Sequence, residues 1–279
     1  MIDAIGWIFI KIKFPLFIPN SKFAIFWDVL MIFLCVVHFY FLIFDLCFYY
    51  NFENNVEFTN FYSIWVRSIT IFFIFDLLLK FNEGYFVHGA VILDQKAIIR
   101  KYLRSEFCLD ICSFSSLIFD GFCLSDPKSH YIGYLFKLIF FFKYPVLNKL
   151  LNNFEEFINF DEKLEAFIAL IKLFLKMLFL AHIVACLWLT LAYATKNQEN
   201  WIEMKGISDK SAFLKYELSL YWAFVTIATI GYGDITPQNE YEYMFAIIVI
   251  VSGSIFFGYS LSCIASIFKD LEKEELKKK

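Results

Sequence analysis

Thr229-Ile230-Gly231-Tyr232-Gly233-Asp234 decides how the rest of the chain is read. Gly231 and Gly233 stand at alternate positions, and glycine tolerates either sign of φ. They let consecutive carbonyls face one axis, which an ordinary strand forbids because its groups alternate sides. Such carbonyls, with the Thr229 hydroxyl, form a stack of oxygens able to replace the water around a dehydrated cation. One chain supplies only part of such a ring, so the reading entails several copies. The flanks argue the same way. Tyr216 to Thr226 is an aromatic run of helical length, too short to cross a bilayer. Beyond Pro237, Tyr241 to Phe268 runs without a single Lys or Arg. Short helix, glycine-rich turn and long helix make a re-entrant loop, because irregular backbone survives at membrane depth only where it lines a cavity. A glycine turn between two buried helices is the plainer alternative, and the flanks weigh against it.

Composition sets the class. The chain has 279 residues, of which 60% are hydrophobic, 22% aromatic and only 19% charged, with 38 Phe. No soluble domain of this size would carry so much apolar surface, so the expectation is an all-α, multi-pass membrane protein in contact with lipid. The net charge of −3 is small, and the basic residues are scattered rather than gathered on one face, which argues against nucleic acid. Seven cysteines, an odd number with no Cys-x-x-Cys, sit mostly in apolar runs and read as small core residues. No acid/base pair, nucleophile triad or metal-spaced cluster points to an enzyme, and no cleavable leader is apparent.

In order, Met1 to Lys22 reads as an interfacial lead-in, and spans follow at about 25–49 and 61–81, joined by the acidic loop Asn51 to Asn60. Asp28, His38 and Asp45 should face protein rather than lipid. Next come the basic stretch Lys80 to Arg104, a third apolar segment at 107–124, a turn at Asp126-Pro127-Lys128 and a fourth segment at about 131–151. A polar connection precedes the fifth span, which runs to about Ala194, with Asp161 and Glu162 placed to cap it. Lys196 to Lys215 is a polar turret before the pore-like loop and the sixth span. Lysine and arginine gather on the side of the lead-in, the 80–104 stretch and the tail, which puts both termini in the cytoplasm. The absence of an internal repeat weakens a transporter reading.

Thr-Ile-Gly-Tyr-Gly matches the potassium-channel filter pattern. Further runs carry a more specific likeness: Phe81-Asn82-Glu83-Gly84-Tyr85 with Asp94, Ile98, Tyr102, Phe107 and Asp110; Ala181-His182-Ile183-Val184-Ala185-Cys186-Leu187-Trp188; and Asn200-Trp201-Ile202. Over about 28–268 the chain resembles the six-span potassium channels of the cyclic-nucleotide-binding-domain superfamily (ether-à-go-go, plant inward rectifier and cyclic-nucleotide-gated types). The likeness implies a voltage-gated-like fold of six transmembrane helices, a re-entrant pore helix and a filter, assembled as a homo- or heterotetramer, most naturally in the plasma membrane. It implies no cofactor beyond K⁺ as the permeant ion, held by Thr229, Ile230, Gly231 and Tyr232. Tyr221, Trp222 and Thr226 would support the filter, with the Trp222 indole near Tyr232 and Tyr221 near Asp234. Asp234, just outside the filter, would add negative potential at the mouth.

The same likeness makes the fourth segment a voltage sensor. Its basic residues are Lys137, Lys143 and Lys149, six apart on one stripe, with Phe140 and Val146 on the skipped rungs and Pro145 expected to kink the helix. Phe73, Asp76 and Asp110 correspond to the family's charge-transfer site; an ordinary buried-charge network is the competing reading. The chain departs from the family at Ala228, before the filter threonine, and at Ser262-Cys263, near the end of the sixth span. Sequence past Lys279, where relatives continue into a nucleotide-binding domain, is absent here. The expected layout is a lead-in and sensor-like domain (1–151), a linker (152–163), a pore domain (164–268) and a charged tail (269–279). The expected function is K⁺ conduction with weak voltage dependence. A weakly selective cation channel and a modulatory non-conducting subunit are the alternatives. A membrane redox enzyme, with His38 and His182 on a haem, is the rival from another class, and hydrogen-bonded structural histidines outweigh it. Gly253 and Gly258 are expected to be packing or hinge points of the sixth span.

Overall fold

The computed structural model describes residues 16–19, 21–52, 56–87, 90–123, 136–158, 162–195 and 198–277. Most of the lead-in, the Asp126-Pro127-Lys128 turn and Asp161 lie outside them. The architecture is helical: α1 (Lys22–Phe52), α2 (Val56–Lys80), a hairpin of β1 (Tyr85–Val87) and β2 (Ala90–Ile92), α3 (Gln95–Ser105) and α4 (Phe107–Cys123). A 3-10 segment (Ile139–Lys143) then runs into α5 (Tyr144–Ile158), and α6 (Glu162–Ala194), α7 (Trp201–Met204), α8 (Ala212–Ile227) and α9 (Glu240–Lys277) complete the chain. Among the described residues four helical stretches are long and apolar enough to cross a membrane: Lys22–Cys47, Phe61–Lys80, Leu164–Ala194 and Glu240–Lys273. Phe107–Phe119 is a shorter apolar helix. Two compact units emerge, one of Met1–Leu42 and Phe52–Asn159, the other of Ile43–Asn51 and Phe160–Lys279.

Several boundaries differ from the sequence reading, each for a local reason. The helices α1 and α2 run to Phe52 and from Val56, so the acidic loop is shorter than 51–60. In the first half of the 152–163 connection, α5 continues to Ile158, because Leu147, Leu150, Leu151, Phe154 and Phe157 recur at helical spacing. The tail from Lys269 to Lys277 is helical and continuous with the sixth span. Ser211, accepting from the Leu214 N–H at 3.3 Å, starts the pore helix at Ala212, four residues before Tyr216. Pro145 does not interrupt a helix. It falls in the first turn of α5, just after the 3-10 segment, where a missing N–H costs nothing.

The basic stretch after α2 is an antiparallel hairpin, with Tyr85 opposite Ile92, followed by α3, which Asp94 caps through the Lys96 N–H. Helix α3 buries Ile98, Ile99, Tyr102 and Leu103 and leaves Lys96, Arg100, Lys101 and Arg104 on its outer side. Phe81, Ile99, Tyr102 and Leu103 form a small core, with Phe107 and Leu77 packed against it. This fold seats α4 beside α2, which is what brings their carboxylates together.

Glu83 lies in the turn leaving α2, bridged to Phe17, with the Gly84 N–H donating to the Phe17 carbonyl at 3.1 Å. Burial first, and then the Asp28 carboxylate, push its carboxyl up to about 7. A raised folded pKa means the folded state holds the proton more tightly, so stability falls as pH rises from the ordinary carboxylate range through about 7. Glu83→Gln is therefore expected to raise Tm by about 3 °C or more at pH 8 and by clearly less at pH 5, where only the first part of the loss has occurred. Equal shifts at the two pH values, read by thermal unfolding of the purified protein, would contradict this.

Candidate functional site

Helix α8 ends at Ile227, and its last carbonyls are taken up by the loop that follows. The Ala228 N–H donates to Phe224 (2.9 Å), Thr229 to Thr226 (3.0 Å) and Ile230 to Val225 (2.9 Å). From there φ is positive at every second residue: +58° at Thr229, +62° at Gly231 and +73° at Gly233. Thr229 is the only described non-glycine residue with positive φ, and a β-branched side chain is a poor occupant of that region. Strain of this kind persists only where the surroundings enforce it. All six residues from Thr229 to Asp234 are exposed in the single chain, whereas Ile235 directly after them is buried.

Behind the loop stands an aromatic column. The Trp222 ring stacks on Trp188 (centroids 4.0 Å apart, 10° between planes), and Trp188 in turn stacks on Trp201 and Phe245. Trp222 thus packs backwards within its own unit, and Tyr232 is 68% exposed, with no ring contact to Trp222 among the described residues. On the mouth side, Tyr221 Oη donates to Asp234 Oδ1 at 3.4 Å. Gly253 on α9 passes so close to the end of α8 that a Cβ there would lie 3.1 Å from Ile227 Cα; Gly258 faces open space. Close approach, rather than bending, is what the geometry shows for Gly253.

The turret is fastened by Glu242, which is fully buried. It accepts from the Trp201 N–H at 3.3 Å and the Gln238 N–H at 2.8 Å, while Asn239 reaches the Glu199 carbonyl at 3.0 Å. Asn200 caps α7 through Ile202 and Glu203. His182 hydrogen-bonds Tyr216 at 2.8 Å, and in the other unit His38 accepts from the Trp65 indole at 3.3 Å. No group of three His, Cys, Asp or Glu residues among the described residues could hold a metal.

In the first unit the helices assemble a buried charge site. Lys143, 1% exposed, places Nζ 2.6 Å from Asp110 Oδ1, 3.4 Å from Asp76 Oδ2 and 4.8 Å from the Phe73 ring centroid. Lys80 enters the same site, 3.0 Å from Asp110, 3.5 Å from Asp76 and 3.8 Å from Glu106. Lys149 pairs with Glu106, Tyr102 Oη donates to Asp110 at 2.7 Å, and the Trp27 indole donates to Asp76 at 3.1 Å. Lys137 is buried with its ammonium 5.5 Å from the Tyr62 ring centroid. Phe140, between the two lysines, is packed against His38, Phe39 and Phe73. In a 3-10 segment residues three apart eclipse, which puts Phe140 and Lys143 on one line facing the core.

The family described as Ion transport protein matches residues 24–276, nearly the whole chain. The chain belongs to the ion transport protein family. That family is one of channels and not of enzymes, and the chain has its fold, that of six-span channels with a pore region. Among curated proteins it is 30% identical to the potassium channel KAT4 of Oryza sativa subsp. japonica over 185 residues, covering 64% of this chain and 31% of that one. It is 29% identical to the potassium channel AKT1 of Arabidopsis thaliana over 190 residues, 66% of this chain and 21% of that one. To the potassium channel KAT2 of Oryza sativa subsp. japonica it is 26% identical over 227 residues, 79% and 36% of the two chains. This member of the ion transport family thus spans about a third or less of the length of the first two.

Four participants escaped the sequence reading. Lys80 stands in the basic stretch 80–104 and Tyr102 in a family-like run, whereas no motif or spacing marks Glu106 or Lys205. The available signal for Lys80 was its place four residues after Asp76, one helical turn away on the same face.

Proposed function

We propose that this chain is one subunit of a potassium-selective channel in which four copies, identical or mixed with related subunits, surround one conduction axis. The alternation of positive φ at Thr229, Gly231 and Gly233 carries the reading. Alternating handedness cancels the side-to-side flip of an ordinary strand, so the oxygens of Thr229, Ile230, Gly231 and Tyr232 can stack toward K⁺. The exposure of all six loop residues supports the same conclusion, since such backbone at membrane depth must line a cavity that further copies complete. In that assembly Trp222, Tyr221 and Thr226 hold the loop from behind, and the open Tyr232 ring finds its seat in a neighbouring subunit. The layout of sensor-like domain (1–151), linker, pore domain (164–268) and tail belongs to this proposal, as do cytoplasmic termini and residence in the plasma membrane.

Lys137, Lys143 and Lys149 are the sensor charges of this reading, with Phe73, Asp76 and Asp110 as their partners in transit. Three lysines in four subunits cap the gating charge at about twelve, each worth about 2.3 kcal/mol per 100 mV for full transfer. A second reading, a static charge network, is favoured by Lys80, which already occupies half of the carboxylate site. Both readings predict shallow voltage dependence.

The deciding measurement is the reversal potential of the purified protein in planar bilayers with opposed K⁺ and Na⁺ solutions. It is expected to follow the K⁺ gradient. A value near zero would make the chain a weakly selective cation channel. Current that appears only with a co-expressed relative would make it a modulatory subunit.

A further inference from the structure

We propose that Lys205, in the turret, is a positioning residue that neutralises the outer mouth and thereby lowers conduction when external salt is low. The inference rests on the pore reading and concerns what that reading leaves out. Asp234 follows the filter directly and, taken alone, would ring the mouth with four carboxylates. The structure does not leave it alone. Lys205 Nζ donates to the main-chain carbonyl of Asp234 at 2.9 Å and lies 3.6 Å from Asp234 Oδ2, while Tyr221 Oη holds Oδ1 from the other side at 3.4 Å. The carboxylate is thus bracketed by one cation and one neutral donor, and each subunit brings one positive charge for each negative one.

The turret presents Lys205 by construction. It is the C-cap residue of α7, whose start Asn200 caps and whose first N–H is tied to the buried Glu242. Its own N–H closes onto Trp201 at 3.0 Å, and Gly206, with φ +67°, turns the chain away immediately afterwards. The lysine stem therefore leaves a fixed cap and reaches across to the rim of the loop. The two side chains are 35% and 42% exposed, so water and salt reach the pair. A ring of four such pairs has little net field, whereas a ring of bare Asp234 carboxylates would concentrate cations at the mouth. The difference is confined to low salt, because the screening length falls from about 30 Å at 0.01 M to about 3 Å at 1 M.

The test uses the full chain in planar bilayers and compares inward single-channel K⁺ conductance in wild type and Lys205→Gln. The variant is expected to conduct at least about twofold better near 0.01 M salt and equally near 1 M. A ratio of one at both salt concentrations, or the same ratio at both, would overturn the proposal, the second outcome meaning a purely structural effect on the loop. Lys205→Cys, treated from outside with cationic or anionic thiol reagents, varies the charge on a single folded channel. The anionic adduct should raise low-salt conductance and the cationic adduct return it to the wild-type level; identical responses would sink the idea. Wild-type protein that carries no K⁺ current would instead refute the pore reading, and this inference with it.

Discussion

Gly231→Ala is expected to abolish potassium-selective current while leaving the channel assembled. The reason is conformational and not steric. A Cβ at Gly231 would meet nothing within 4 Å in this chain, but φ there is +62°, a region that costs an L-residue about 1–2 kcal/mol. Four subunits bearing that cost together face about 4–8 kcal/mol, which relaxing φ to negative values would remove. Relaxation turns one peptide, and with it one carbonyl of the stack. The fold of each subunit does not depend on this residue, because Trp188, Trp201, Trp222 and Phe245 pack without it, so the variant is expected to assemble. Reversal potentials and native-size elution of the variant check both halves; unaltered K⁺ over Na⁺ selectivity would be fatal to the filter assignment. Thr229 already carries the same cost, with φ at +58°, which fits a residue kept for its hydroxyl and not for its backbone preference.

What could be read from the chain was whatever depends on local pattern. Apolar runs located the four long apolar helices to within a few residues and the glycine spacing located the loop after α8, whereas the start of the fourth segment lies outside the described residues and its helix runs on to Ile158. Helix ends were less legible where polar residues hid an amphipathic period, as in 152–158 and 269–277. Spacing made partners legible where they share an element, and the family likeness did so for Asp76 and Asp110 with the fourth-segment lysines and for Tyr221 with Asp234. Asp76 and Lys80 are one turn apart, but Glu106, Tyr102, Lys143 and Lys149 reach them through the hairpin, α3 and the 3-10 segment. Nothing in residue spacing fixes that topology. The skipped rungs show the same limit. Read in sequence, Phe140 is a missing charge, whereas in the fold it is fully buried among His38, Phe39 and Phe73. An arginine placed there would add an unpaired cation to an aromatic core, so refilling the rung is a poor probe of sensor motion.

Asp110 is the better probe, and Asp110→Asn is expected to destabilise the first unit by about 3–5 kcal/mol, a fall in Tm of about 10 °C. The carboxylate accepts from Lys143, Lys80 and Tyr102 at once and is itself 1% exposed. Asparagine keeps the shape but removes the charge, leaving Lys143 and Lys80 to share Asp76, with Glu106 divided between Lys80 and Lys149. Removing one of the surplus cations should then help: Lys143→Met combined with Asp110→Asn is expected to recover part of the lost stability. The double-mutant cycle would show a coupling of at least about 1 kcal/mol. Unchanged Tm in Asp110→Asn would rule out a shared charge site. Current recordings on the same variants separate the two readings of Lys143. If the segment moves, Asp110→Asn shifts the voltage midpoint as well as Tm, because the site binds Lys143 in only one of its positions. A static strut loses stability alone, since a group with no differential interaction between two states cannot bias their equilibrium.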